Sequence, residues 1–128
     1  MWGNRSVAYS IKIEPRGAYV RLEGRCSFKH VLAATMEVWE NPNFDNMAYE
    51  IFDYLSVTSI DFTDYDVVEL AVRDSVASKM SRRNKMAVVA TLPSIIARTE
   101  EYKQSLSDPR LEFMVTDNLE TARQWVAQ

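Results

Sequence analysis

The chain has 128 residues, a net charge of -3 and one cysteine. This length suits a single core, so we expect one domain over residues 1–128. The acidic balance excludes the basic surface of a nucleic-acid-binding protein. One cysteine excludes an internal disulfide and a multi-cysteine zinc site. No apolar run has the length of a signal-peptide core or a membrane helix, so we expect a cytoplasmic protein without membrane insertion.

Two alternating segments at the start predict a β-hairpin. In residues 7–14, and again in residues 18–24, apolar and polar side chains alternate with a period of two. That period is typical of half-exposed strands. Residues 15–17 contain a proline and a glycine and supply the turn. The first strand should therefore be antiparallel to the second.

A helix and a central strand follow the hairpin. Apolar side chains recur at helical spacing over residues 28–40, and Ser27 stands where a side chain accepts a hydrogen bond from a free helix amide. Pro42 breaks this helix. Residues 48–57 (AYEIFDYLSV) are rich in strand-forming residues and apolar on both faces, which predicts a buried strand.

The next predicted helix is the longest, at about twenty residues with one apolar face. That face consists of Tyr65, Val68, Val72, Val76 and Met80. The helix ends at a basic cluster followed closely by a strand. The cluster contains Arg82, Arg83 and Lys85. We interpret these cations as partners of the negative end of the helix dipole.

The rest of the chain continues the alternation. Residues 85–92 predict a buried strand, a helix begins at Pro93, and residues 111–117 predict another strand. Asp117 and Glu120 resemble a capping box that opens a short last helix. This order predicts an α/β fold with a mixed five-stranded sheet, its first strand antiparallel, and about four helices.

Several sequence stretches accompany this order of elements. They are YSIKIEP near the start, FDYLSV and IDFTD in the middle, then KMAVVATL and the closing FMVTDNLETARQW. Together they resemble the SpoIIAA-like branch of the STAS and Sec14-like families, over nearly the whole chain. The resemblance implies a fold similar to that of anti-sigma-factor antagonists. It also implies a non-enzymatic regulatory or protein-interaction module with a protein partner.

The resemblance also places a surface on the chain. In anti-sigma-factor antagonists a DSSG or DSTG motif follows the middle strand, and a partner kinase phosphorylates one of its serines. Here Asp61 matches the aspartate, and Phe62, Thr63 and Asp64 stand in place of the Ser-Ser/Thr-Gly that carries the switch. Thr63 is then the one phosphoacceptor in the motif. The implied partner or regulatory surface comprises Ser59, Asp61, Phe62, Thr63 and Asp64.

Thr63 has two interpretations. As a helix N-cap, with Asp66 in the first turn, it would stabilise the helix by about 1 kcal/mol. As a phosphoacceptor, it or Ser59 would place a phosphate at a helix N-terminus, which favours anions. Asp64 and Asp66 oppose a phosphate by like-charge repulsion, so capping explains these residues more simply.

An alternative hypothesis is a carrier or sensor of a small apolar or lipid-like ligand. Asp53 is an acid in an otherwise apolar strand, and strand ends in α/β sheets form ligand crevices. Tyr54 and Tyr65 belong to the aromatic residues around this strand, and aromatic residues line pockets as well as cores. Asp53, Tyr54 and Tyr65 are therefore the candidate ligand-binding residues.

Catalysis and metal binding find little support in the residues. His30 and Cys26 are single residues of their kinds, with no nucleophile–base pattern around either. The aspartates near the middle strand lack a calcium-loop pattern. We predict no enzymatic activity, no cofactor and no metal. A metal-dependent hydrolase using Asp53 and Asp61 is a weaker alternative, and a homodimer through the exposed first strand stays open.

Overall fold

The computed structural model describes residues 8–79 and 81–128, which form five strands and four α-helices. The strands are β1 (Tyr9–Glu14), β2 (Gly17–Cys26), β3 (Tyr49–Ile60), β4 (Lys85–Val89) and β5 (Glu112–Thr116). The helices are α1 (Phe28–Trp39), α2 (Asp64–Ser78), α3 (Pro93–Ser105) and α4 (Leu119–Val126), and a 3₁₀ turn spans Phe44–Asn46.

The strands lie in chain order across one mixed sheet. β1 is antiparallel to β2, and the other neighbouring pairs are parallel. Each parallel connection contains a helix, because the chain must return to the same edge before the next strand begins. The predicted mixed sheet with an antiparallel first strand is confirmed. Val7, which the prediction included in that strand, lies outside the described residues.

Helices cover both faces of the sheet. Successive residues of a strand point to opposite faces. In β3, Ile51 packs in one cluster with Ala122 and Val126 of α4, whereas Phe52 belongs to the cluster that contains residues of α1 and α3. α2 packs beside α3, on the face that carries Phe52. Burial on both faces explains why this strand is apolar throughout.

Gly24 lets β2 reach the end of β3. Its φ is 71°. This value lies in the left-handed region that glycine adopts at little cost. The register between β2 and β3 shifts twice next to it, as in a β-bulge. β2 then continues to Cys26, which pairs with Ile60. The start of α1 therefore lies beside the residues that follow β3.

Several boundaries differ from the prediction; β4, for example, ends at Val89 rather than at residue 92. β3 continues to Ile60, so Ser59 belongs to the strand rather than to the loop after it. The N-cap of α4 is Asn118, whose Oδ1 accepts the Thr121 N–H at 3.0 Å. The predicted capping box from Asp117 is therefore wrong by one residue, because the asparagine carbonyl takes the position that we assigned to the acid.

α2 buries a different face from the one that its apolar pattern marks. The predicted apolar stripe is exposed, at 74% for Tyr65, 46% for Val68, 56% for Val72 and 59% for Val76. The buried residues of α2 are Val67, Ala71, Asp74 and Ser78. α2 is also shorter than predicted, with 15 residues. Met80, the last residue of the predicted stripe, lies outside the described residues.

Arg83 accounts for this rotation of α2. Its side chain is fully buried, and its guanidinium lies 3.0 Å from Glu50 Oε2 and 2.7 Å from Asp74 Oδ1. It also donates a hydrogen bond to the hydroxyl of Ser78. Buried charges are tolerated when they are paired in this way. Our interpretation of Arg83 as a surface partner of the helix dipole is wrong, because it is an internal counterion.

Other elements hold the same polar side of α2. The Tyr102 hydroxyl of α3 donates to Asp74 Oδ2, and the Arg110 guanidinium donates to the Ser78 carbonyl at 2.6 Å. Tyr102 in turn packs against Phe113 of β5, with ring centroids 5.7 Å apart. We call Glu50, Asp74, Ser78, Arg83 and Tyr102 the Arg83 network. It connects β3, α2 and α3 beneath the surface.

Replacement of Arg83 should destabilise the protein strongly. Arg83→Met leaves two buried carboxylates without their cation, so we expect a loss of about 3–5 kcal/mol in the free energy of unfolding. Urea denaturation measures it. Arg82→Met is the matched control, because the Arg82 side chain is exposed. Its replacement should change stability by no more than about 0.5 kcal/mol. Equal losses in the two variants would contradict the role assigned to Arg83.

The free energy of unfolding should also depend on pH, because the Arg83 network contains two buried carboxylates and one guanidinium. Burial, with the charge of Asp74, raises the pKa of Glu50 from 4.5 to about 7 despite the opposing effect of Arg83. The folded state therefore binds this proton more tightly than the unfolded state. The resulting stabilisation is complete below about pH 4.5 and is lost as pH rises through about 7.

We expect Glu50→Gln to reduce this fall in the free energy of unfolding, because glutamine does not titrate. Urea denaturation at a series of pH values from about 4 to about 8 measures both profiles. Profiles of the same slope for wild type and Glu50→Gln would show that Glu50 does not carry the dependence.

Candidate interaction surface

Thr63 begins α2 as its N-cap. Its Oγ1 accepts the N–H of Asp66 at 3.1 Å, and the Asp66 carboxylate accepts the N–H of Thr63 at 3.0 Å. This reciprocal pair satisfies two amides at the start of the helix and stabilises it by about 1 kcal/mol. The predicted cap is confirmed. The Thr63 side chain remains exposed while it does this.

Asp61 and Phe62 tie this segment to the start of α1. Asp61 Oδ1 accepts the N–H of Phe28 at 3.2 Å. This bond satisfies the first amide of that helix. The Phe62 ring meets the ring of Phe28 edge to face, with centroids 6.1 Å apart. Aromatic pairs favour this geometry. The half-buried phenylalanine therefore anchors the segment where the resemblance would place a small hydroxyl residue.

Ser59 and Asp64 lie on either side of this anchor and are exposed. Asp64 forms an ion pair with Arg98 of α3, which also contacts the Glu101 carboxylate at 2.7 Å. The five residues predicted for a partner or regulatory surface lie in one segment, from Ser59 near the end of β3 to Asp64 at the start of α2. We call Ser59, Asp61, Phe62, Thr63 and Asp64 the β3–α2 surface.

The three candidate ligand-binding residues do not share one site. Asp53 and Tyr54 follow each other in β3, so their side chains lie on opposite faces of the sheet. Tyr54 belongs to the core beneath α1 and α3, and Tyr65 is exposed on α2. The prediction grouped these residues because they are close in the sequence. Strand alternation separates Asp53 from Tyr54, and the rotation of α2 exposes Tyr65.

Asp53 instead belongs to a polar cluster beside α4. It accepts a hydrogen bond from the Tyr19 hydroxyl at 2.5 Å. The guanidinium of Arg123 lies 4.9 Å from the centre of the Tyr19 ring and donates to Glu14 Oε1 at 2.7 Å. Burial, and then the hydrogen bond to Asp53, raise the pKa of the Tyr19 phenol, so it stays a donor.

Sequence reasoning missed Tyr19 and Arg123 as partners of this acid. The alternating pattern of β2 does place Tyr19 opposite Ala18. No local pattern, however, reports that β2 and β3 pair with Tyr19 close to Asp53, or that α4 crosses above them. The cluster satisfies its polar groups internally, which explains how an acid is accommodated in this strand.

A small cavity of about 60 Å³ lies between the sheet and α1, α2 and α3. Phe52, Tyr54 and Val88 line it from the sheet, and Phe28 and Ile95 line it from the helices. Sites for drug-sized or lipid-like ligands have volumes of roughly 300–1,000 Å³. The cavity lies where the carrier hypothesis places a ligand, but it is too small for one of that class. The carrier hypothesis is unsupported.

The contacts of Cys26 and His30 are those of residues with a structural role. Burial, with a smaller effect from Asp61, raises the pKa of the Cys26 thiol to about 12, so it stays neutral at physiological pH. His30 Nδ1 accepts the N–H of Ser27 at 3.3 Å, at the start of α1. A neutral thiol is a poor nucleophile, which argues against covalent catalysis through this cysteine.

Residues 8–79 and 81–128 contain no group of three or more histidine, cysteine, aspartate or glutamate side chains that is arranged to hold a metal ion. Nor does this part of the chain contain a helix whose length and apolar character would let it cross a membrane.

The fold matches solved structures of SpoIIAA-like proteins. An uncharacterized protein of the DUF3478 family from Shewanella loihica PV-4, with a SpoIIAA-like fold, is similar over 98% of both chains, with a TM-score of 0.58 and 10% identity. The anti-sigma factor antagonist SpoIIAA in its unphosphorylated form gives a TM-score of 0.63 and 12% identity, over 94% of this chain and 98% of that one. Neither a protein-family model nor a curated protein sequence matches the chain. The protein therefore has the SpoIIAA-like fold that the sequence resemblance predicts.

Proposed function

We propose that the protein is a non-enzymatic regulatory module of the cytoplasm that binds a protein partner through the β3–α2 surface. The observation that carries the proposal is the arrangement of that surface. Ser59, Thr63 and Asp64 are exposed, while Asp61 and Phe62 fix the backbone between them. Side chains that a rigid scaffold presents in this way bind with a small loss of conformational entropy.

The fold supports a binding role, because the structural neighbour SpoIIAA is an anti-sigma factor antagonist. This support is an analogy from the fold, since one fold hosts several functions. The second support comes from this chain alone. The neutral thiol of Cys26 offers no activated nucleophile, and the Asp53 carboxylate is held by the Tyr19 hydroxyl.

The charge of the β3–α2 surface indicates the chemistry of its partner. Asp61 and Asp64 are exposed, and Asp66 lies directly behind them in the first turn of α2. A surface of this sign favours a partner that presents lysine or arginine side chains, both in rate of encounter and in selectivity. Arg98 neutralises Asp64 only in part, because the Asp64 side chain stays 88% exposed beside it.

Thr63 is the phosphoacceptor that we propose for this surface if it is regulated. Its hydroxyl already accepts the Asp66 amide, so a phosphate would replace the capping bond with charge-assisted bonds at the same helix terminus. The three aspartates around it oppose the added charge. Shape and charge of the unmodified surface are therefore the primary determinants of binding in this proposal.

Partner capture tests the proposed function. The tagged wild-type protein should retain a specific protein from lysate of the native host, and Ser59→Arg should lose it, because the arginine reverses the local charge and adds bulk. Gln104→Arg is the matched control. Gln104 is exposed near the C-terminal end of α3, away from the strand end at which that helix begins.

A protein retained by wild type and Gln104→Arg but absent with Ser59→Arg supports the proposal. The same proteins retained by all three would show that the β3–α2 surface is not the contact. No specific protein retained by the wild type would count against the binding role itself.

A further inference from the structure

The exposed apolar stripe of α2 needs an explanation beyond folding. Tyr65, Val68, Val72 and Val76 recur every three or four residues, so they form one continuous line along the helix. Other exposed large apolar residues in the described part of the chain occur on several separate elements. They include Ile13 on β1, Met36 on α1 and Ile96 on α3. Contiguous exposed apolar residues of this kind are typical of an interaction surface.

The order of residues along α2 has an approximate two-fold symmetry. Tyr65 and Val76 are centred between residues 70 and 71, and Val68 and Val72 are centred on residue 70. Suppose that a second α2 lies antiparallel across the first, with the two-fold axis between residues 70 and 71. Tyr65 then meets the partner's Val76, and Val68 lies within one residue of the partner's Val72. Each apolar residue then faces another apolar residue.

The charges follow the same symmetry. Glu69 and Arg73 form an ion pair of 2.9 Å on one side of the stripe, and they are centred on residue 71. A two-fold axis between antiparallel helices brings like sides together. Measured along the helix axis, Glu69 of one copy is then offset from the partner's Arg73 by about 1.5 Å, the rise of one residue. The four charges of the two copies thus lie beside the apolar stripe, each opposite a charge of the other sign.

The helix ends are complementary as well. Two acidic residues, Asp64 and Asp66, occupy the first turn, and Lys79 is the exposed C-cap. In the antiparallel arrangement each acidic end lies near the partner's basic end. The two helix dipoles also oppose each other favourably. A heterologous partner would have to supply this pattern, whereas a second copy of α2 already has it.

We propose that the protein self-associates through α2, as an antiparallel two-fold pair built on Tyr65, Val68, Val72 and Val76. α2 has 15 residues. At the rise of an α-helix this corresponds to a length of about 22 Å. The contact is therefore smaller than a standard interface, which buries roughly 800 Å² on each partner. The association is accordingly weak and depends on concentration. This interface is distinct from the edge of β1, which is the dimer contact considered from the sequence.

Sedimentation velocity tests the proposal directly. Between about 10 µM and about 1 mM, the range of weak interfaces, the wild-type mass should rise from the 14.8 kDa of one chain towards twice that value. Val72→Glu should stay monomeric, because it places a carboxylate opposite the partner's Val68 and weakens association at least about tenfold. Ile96→Glu is the matched control, as the same change on an exposed apolar residue of α3, and should associate like wild type.

Charge complementation tests the orientation. Glu69→Arg makes this side of the stripe positive, and Arg73→Glu makes it negative, so each variant alone should lose association through repulsion. An equimolar mixture of the two variants should associate again, since each then meets the opposite charge. Thermal unfolding by circular dichroism checks that both variants are folded, as expected for exposed positions.

A wild-type protein that stays monomeric throughout would overturn the proposal and leave the stripe to a different protein. Association that persists unchanged in Val72→Glu would overturn it in favour of another contact, such as the β1 edge. Separate variants that associate as well as their mixture would exclude the antiparallel register. The inference does not rest on the proposed function, because Val72→Glu can lose self-association while retaining the partner that Ser59→Arg loses.

Discussion

The structure depends on one buried cation. Arg83 lies between a carboxylate of the sheet, Glu50, and a carboxylate of α2, Asp74, and the guanidinium contacts both within hydrogen-bonding distance. A charge at this depth is stable only when its partners hold it from more than one side. The requirement fixes the rotation of α2 about its own axis, because Asp74 and Ser78 must point inward. Once they do, the residues opposite them point to solvent.

This constraint connects the core to both proposed binding surfaces. With its polar side turned to Arg83, α2 buries Val67 and Ala71 and exposes its valine stripe. The same placement sets Thr63 at the end of β3, where Asp61 and Phe62 reach across to α1. The β3–α2 surface therefore adjoins the N-terminal end of the helix that carries the stripe.

The order of strands and helices could be predicted from the sequence, because its signals are local. Alternation in β1 and β2, the apolar β3 and the cap at Thr63 each report the conformation of a few neighbouring residues. The five residues of the β3–α2 surface are close in sequence, so a correct strand end and helix start suffice to bring them together. Of these five residues, only Ser59 lies in a different element from the predicted one, because β3 extends to Ile60.

The buried face of α2 could not be predicted in the same way. Periodicity assumes that apolar residues face the core, and here Asp74 and Ser78 of α2 face Arg83 on that side, while four apolar residues of α2 do not face the core. The partner that makes this favourable, Glu50, is distant in sequence and looks like an ordinary strand residue. The contact of Asp53 was not predicted for a related reason, because its partner Tyr19 lies on another strand. Long-range polar pairing leaves no local pattern.

Thiol labelling measures the rotation of α2, on which both proposed surfaces depend. Cys26 is buried, so a cysteine introduced on α2 provides the fast signal. Val72→Cys should react with a maleimide in the native protein nearly as fast as in denaturant, whereas Ala71→Cys, one residue away, should react only as fast as the protein unfolds. Rapid labelling at residue 71 with protection at residue 72 would mean that α2 buries its valine stripe, contrary to the orientation described.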